Sequence, residues 1–152
     1  MAIARANNVN YLFEASVGGG IPIIRPLHQC LGANEIDNIE GILNGTTNFI
    51  LTKMRREHSS FSAALEQAQA LGYAEVDPTE DLNGADARRK LVISTNVAFG
   101  CVVQEPEVTT FGIAGIRACD IGAARKMHRV VKLMASAACW TAAMWPAISS
   151  LR

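Results

Sequence analysis

Residues 72–90 hold the densest set of groups able to bind charge or move a proton. Glu75, Asp77, Glu80, Asp81 and Asp86 lie close together there, and Lys90 follows Asp86 by four positions. On a helix that spacing puts Asp86 and Lys90 on one face. An EF-hand is excluded: with Gly84 as its central glycine, the loop would start at Thr79, and its last ligand, a glutamate in that motif, would be Lys90. Two readings remain. Asp86 and Lys90 form a surface ion pair beside a solvated acidic loop, or Lys90 projects into a pocket rimmed by Glu75, Asp81 and Asp86. In the second case the lysine could protonate a nascent alkoxide, and the carboxylates could hold a substrate ammonium. Spacing leaves both open.

Three other places carry weaker signals. Gly18, Gly19 and Gly20 lie between a strand-like run and a helix-like run, but a G-x-G-x-x-G fingerprint would need glycine where Ile23 stands, so a dinucleotide loop is rejected. A tight turn remains, whose exposed carbonyls beside Glu14 could bind a cation. Asn44-Gly45-Thr46 marks a strand-to-helix junction, either an anion site on a helix N-terminus or a simple cap. His28, His58 and His128 have no partner pattern and are expected on helix surfaces or turns. Cys30, Cys101, Cys119 and Cys139 form no C-x-x-C pair, and buried free thiols in a reducing compartment are expected.

These residues need a scaffold, and 152 residues, 49% of them hydrophobic, are enough for one core. Zero formal charge argues against a nucleic-acid surface or a polybasic membrane anchor. Alternation over 9–17 predicts a strand leading into the glycines. A helix is expected from Pro22 to near Gly32, a strand over 35–43, then a helix capped by Thr46 or Thr47. Ser60 is expected to cap a helix that Gly72 closes. An acidic loop spans 75–84, and Asn83 caps a helix running to about Phe99. A strand over 108–116 and a helix over 117–138 complete the reading. Strands and helices that do not alternate strictly favour α+β, a mixed sheet with helices packed on one face. Residues 133–151 carry no charge but are interrupted by Pro146 and several serines, so a buried tail is expected rather than a membrane span.

Three blocks in order resemble one family. Residues 13–24 (FEASVGGGIPII) are similar to the entry into the catalytic domain of homoserine dehydrogenases, and residues 41–51 (GILNGTTNFIL) to that family's next block. Residues 71–78 (LGYAEVDP), then 81–86 (DLNGAD) with Arg89 and Lys90, resemble its signature. The family interconverts L-homoserine and L-aspartate 4-semialdehyde with NAD(P), on the way to threonine, methionine and isoleucine. The resemblance implies Lys90 as the acid/base residue. It implies Glu75, Asp81, Asp86, Gly45, Thr46 and Tyr73 around the amino-acid substrate, and Gly72 against the cofactor. Glu14, with the carbonyls of Val17, Gly19 and Ile21, is implied as a monovalent cation site, usually sodium. It further implies a homodimer joined through the sheet and a cytoplasmic enzyme. The expected division is a catalytic domain over 1–138 and an atypical tail over 139–152. The family's nucleotide-binding domain and its second functional lysine would precede Glu14. Activity is therefore expected to need a nucleotide-binding domain, the alternative being a non-catalytic fragment serving dimerisation or interaction.

Overall fold

The computed structural model describes residues 2–140 and 143–149. A short α1 (Ala2–Ala6) opens the chain. The 9–17 strand does not form: Tyr11 and Leu12 are exposed, and a 3₁₀ turn occupies Glu14–Ser16. Alternation makes a strand only where a neighbour takes up its backbone groups, and among the described residues no strand pairs with this segment. The helix after Pro22 is also altered. It begins at Ile24 and widens into a π turn over Pro26–Cys30, where the Leu31 N–H donates to the Pro26 carbonyl at 3.0 Å. Pro26 lacks the N–H that a regular helix would use, which favours the wider turn.

β1 (Asn38–Gly41) falls within the expected strand. α2 (Gly45–Glu57) follows, capped by Asn44 rather than by either threonine. α3 (Phe61–Ala70) starts at Ser60, whose Oγ accepts from the Ala63 N–H at 3.2 Å. It closes as expected, with Gly72 at φ +75°. The acidic loop contains one helical turn, α4 (Thr79–Leu82). α5 (Ala85–Ala98) follows, and its first N–H, that of Ala85, donates to Asn83 Oδ1 at 2.8 Å.

The expected 108–116 strand shrinks to β2 (Thr109–Thr110). Gly112 must then pass against the α4–α5 corner, where the Ile113 N–H donates to the Leu82 carbonyl at 2.8 Å. The long helix over 117–138 divides. α6 (Ala118–Lys126) stops before His128, which has φ +54°, and β3 (Met134–Trp140) begins after it. Val131, Leu133, Ala135 and Ala137 are buried in alternation, a period of two that the alanine-rich sequence hid. β4 (Ala143–Ser149) completes the sheet.

The sheet order is β1-β3-β4-β2. The β1–β3 and β3–β4 pairs are antiparallel and β2–β4 is parallel, so the sheet is mixed. α5 lies against β3 and β4, while α2 packs on α3 and α6. Ala135 and Ala137 of β3 join Leu91 of α5 and Ile50, Leu51 and Met54 of α2 in one core. That is the α+β arrangement expected, with helices covering one sheet face. Ser136 and Ala138 point to the other face and are half-buried. The expected boundary at residue 138 falls within β3. No helix among the described residues is long and apolar enough to cross a membrane. The cysteines are free, but the expected burial fails: Cys30, Cys119 and Cys139 are exposed and Cys101 is half-buried. All three histidines are exposed on turns or helix ends.

Candidate functional site

A cleft of about 800 Å³ opens along α2 and against the 72–75 turn, α4 and the start of α5. Its lining brings together Gly45, Thr46, Gly72, Tyr73, Glu75, Asp81, Asp86 and Lys90, every residue assigned to substrate, cofactor or proton by the resemblance.

Asn44 organises the inner end. Its buried side chain closes α2 through Oδ1, which accepts from the Thr47 N–H and hydroxyl, both at 2.8 Å. The same amide donates through Nδ2 to Asp81 Oδ1 at 2.6 Å and Asp86 Oδ2 at 2.9 Å. A helix cap thus holds two carboxylates of α4 and α5 at the mouth of α2. Lys90 Nζ donates to Asp86 Oδ2 at 2.7 Å and to the Leu43 carbonyl at 3.2 Å. Both members of that pair are roughly one-quarter exposed, which sets them apart from a solvated surface bridge. An ammonium has three protons, so one remains for a ligand.

Opposite, the Thr46 hydroxyl donates to the Tyr73 carbonyl at 2.6 Å, tying α2 to the turn after α3. The Tyr73 ring leans on Phe49 with centroids 4.9 Å apart. Gly72 has φ +75°, and a Cβ there would meet nothing within 4 Å, so the space over it is open to a ligand.

The carboxylates of the signature divide by task. Asp77 accepts from the Thr79 N–H at 3.1 Å and from its hydroxyl, and these bonds hold Asp77 below the usual carboxylate range. Glu80 takes both arms of the Arg89 guanidinium, at 2.5 and 2.7 Å, and is held low by that bond and charge. Glu75, Asp81 and Asp86 are left to the cleft. At this end Lys90 is the neighbouring ammonium, Lys53 and Arg56 lining the cleft farther along α2, so the acids leave a local surplus suited to a cationic group.

Glu14 and the glycine turn lie outside this cleft. Burial alone would raise the Glu14 carboxyl. The N–H groups of Ile23 (2.6 Å), Arg25 (2.7 Å) and Ile24 (2.9 Å), with the Arg25 charge, outweigh it and hold the group low. Glu14 is therefore first an anionic cap on the helix starting at Ile24. Gly18 and Gly19 have φ +82° and +59°, and a Cβ on Gly18 would sit 2.8 Å from the Ile21 carbonyl oxygen. Among the described residues no backbone N–H donates to the carbonyls of Val17, Gly19 or Ile21. Carbonyls that accept no backbone N–H, in the same turn as a carboxylate with spare lone pairs, are the oxygen donors that a hard monovalent cation takes. No group of three or more His, Cys, Asp or Glu able to hold a metal occurs among the described residues.

Sequence reasoning placed Asn44 only in the strand-to-helix junction and missed Asn48 and Thr52 as cleft residues. Their signal was present: Asn44, Asn48, Thr52 and Arg56 recur every four positions, a polar stripe down one face of α2.

A sequence model of the family described as homoserine dehydrogenase matches residues 22–151. The homoserine dehydrogenase of Synechocystis is 48% identical over 134 residues, 88% of this chain and 31% of that protein. The one from Bacillus subtilis is 44% identical over the same shares. Among solved structures, a homoserine dehydrogenase from Thiobacillus denitrificans is similar with a TM-score of 0.92 and 41% identity. It covers 97% of this chain and 34% of that one. A hyperthermophilic archaeal homoserine dehydrogenase mutant in complex with NADPH gives 0.77 at 32% identity, covering 100% and 43%. The chain thus spans about a third of the length of these protein relatives.

Proposed function

This chain belongs to the homoserine dehydrogenase family, and from that premise we propose that its cleft grips the amino acid and handles its proton in the interconversion of L-homoserine and L-aspartate 4-semialdehyde. The observation that carries this reading is the convergence of Glu75, Asp81, Asp86 and Lys90 on one cleft, with Asp81 and Asp86 both anchored by Asn44.

Glu75, Asp81 and Asp86 hold the substrate ammonium. The α2 N-terminus at Gly45 and Thr46 faces its carboxylate, where unpaired N–H groups and the helix dipole favour an anion. Tyr73 forms a wall. NAD(P), when bound, supplies or accepts the hydride. As hydride reaches the aldehyde carbon, the carbonyl π pair moves onto oxygen. The Lys90 ammonium stabilises that charge and then gives the oxygen a proton, yielding the hydroxyl. In the oxidative direction the neutral amine takes the hydroxyl proton as hydride leaves. Asp86, bonded to Nζ, holds the amine in place. Gly72, bare and open, allows a cofactor to approach the backbone.

Two further features belong to the same proposal. Glu14 and the carbonyls of Val17, Gly19 and Ile21 would hold a monovalent cation, sodium as the family resemblance implies, which would stiffen the turn. The helix-free face of the sheet would pair with a second copy in a cytoplasmic homodimer.

Turnover tests the assignment. Joined to the part of the Thiobacillus denitrificans relative that it does not cover, the chain should consume NADPH when L-aspartate 4-semialdehyde is added. Lys90→Met should lower kcat by about 10²–10⁴. An undiminished rate in that variant would remove Lys90 from the chemistry.

A further inference from the structure

Lys132 forms no ion pair with a carboxylate among the described residues, yet it is half-buried. It leaves the chain just before β3 and reaches the polar stripe of α2. Its Nζ donates to Asn48 Oδ1 at 2.5 Å and to Thr52 Oγ1 at 2.7 Å. Burial pushes this amine down, and the neighbouring Arg55 and Arg56 charges act in the same direction.

The consequence lies in what these bonds leave free. An ammonium only donates, so the Asn48 amide must turn its oxygen to Lys132 and its NH₂ away. Thr52 Oγ accepts from the same ammonium, which frees its hydrogen to point elsewhere. Asn48 and Thr52 are one helical turn apart and both line the cleft. Neither the Asn48 NH₂ nor the Thr52 hydroxyl hydrogen finds an acceptor among the described residues. Lys53 and Arg56 line the same stretch, with Glu57 as the one acid there, 2.8 Å from Lys53. The cleft is therefore acidic where Asp81 and Asp86 lie and donor-rich and basic farther along α2.

We propose that Lys132 is a positioning residue: it turns the Asn48 amide and the Thr52 hydroxyl into paired donors for an anionic oxygen, carboxylate or phosphate, on the ligand in the cleft. A carboxylate source rests on the proposed function above and would draw that carboxylate from the Gly45 and Thr46 N–H groups toward Asn48 and Thr52, whereas a phosphate source does not need it.

The test uses the full chain, ¹⁵N-labelled, titrated separately with inorganic phosphate, L-homoserine and 3-aminopropan-1-ol. The last keeps the ammonium and hydroxyl of homoserine but lacks its carboxylate. Phosphate or homoserine should shift the Asn48 side-chain NH₂ signals, and 3-aminopropan-1-ol should not. A shift with homoserine alone identifies a carboxylate, and a shift with phosphate a phosphate group. Asn48→Asp keeps an acceptor for Lys132 and charges it, so the fold is preserved while the donor is removed. It should weaken the shifting anion by about tenfold or more and leave 3-aminopropan-1-ol unaffected. Lys132→Met should lose anion affinity likewise, and Lys132→Arg should recover part of it. Unmoved Asn48 signals with both anions, or wild-type anion affinity in Asn48→Asp, would overturn the proposal. Phosphate binding without any binding of 3-aminopropan-1-ol would support it while counting against the ammonium grip.

Discussion

The amide of Asn44 is shared between a helix end and a binding site. Its oxygen caps α2 and its nitrogen gathers Asp81 and Asp86. Asn44→Ala would remove the cap and leave two carboxylates without a donor, so the chain should lose about 1–3 kcal/mol in urea unfolding. A loss under about 0.5 kcal/mol would show that the amide does neither task. Glu14 makes a second prediction. Because its folded pKa is depressed, its stabilising contribution is present above the unfolded value, about 4.3, and fades as pH falls through the folded value. The amide signals of Ile23, Ile24 and Arg25 should therefore titrate together with a midpoint below that of an ordinary glutamate. A midpoint at or above the ordinary value would contradict the capping geometry. Much at this scale was legible in the sequence. The four-residue spacing from Asp86 to Lys90 and the block around 72–86 pointed to the right cleft. The pocket reading already set Asp77 and Glu80 apart from the rim of Glu75, Asp81 and Asp86; what spacing could not supply was their partners, Thr79 and Arg89.

α4 and α5 meet at a corner that only small residues permit. Gly84 has φ +86°, and a Cβ on it would lie 2.9 Å from the Thr110 side chain. Gly112 is tighter still: a Cβ there would stand 2.3 Å from the Leu82 carbonyl oxygen and 2.7 Å from the Asn83 Cα. Gly112→Ala must push this corner away, although Gly112 needs no unusual backbone angle. It should cost about 1–3 kcal/mol and shift the Asp81 and Asp86 carboxylate resonances by NMR. Unchanged carboxylate resonances would mean that the corner does not set the spacing of the acids. Elements with their own local caps were legible, as Ser60 illustrates, whereas α5 has Gly84 at its cap position and Asn83 Oδ1 accepts the Ala85 N–H from one residue before it. Elements defined by distant partners were not. The 9–17 alternation has no neighbouring strand among the described residues to pair with. β3 is a strand because β1 and β4 flank it, and the Ala-rich stretch around 135–138 reads equally well as helix.

Across the whole molecule, the helices cover one sheet face, and the cleft lies where α2, α4 and α5 converge near Asn44. Class and layer arrangement were legible because the core-forming stripes of α2, α3 and α5 are strongly patterned. The cleft as a volume was not, since it is made from segments nearly fifty residues apart in sequence, such as Leu43 and Lys90. The proposed division of labour makes substrate binding a property of this unit, apart from hydride transfer. Calorimetric titration of L-homoserine into the full chain, wild type beside Asp86→Asn, tests that most directly. The variant is isosteric and can still accept from Asn44, so its fold should hold. Wild type should give a saturable heat that Asp86→Asn abolishes or weakens by about tenfold or more. No heat in wild type, or the same isotherm in both, would contradict it.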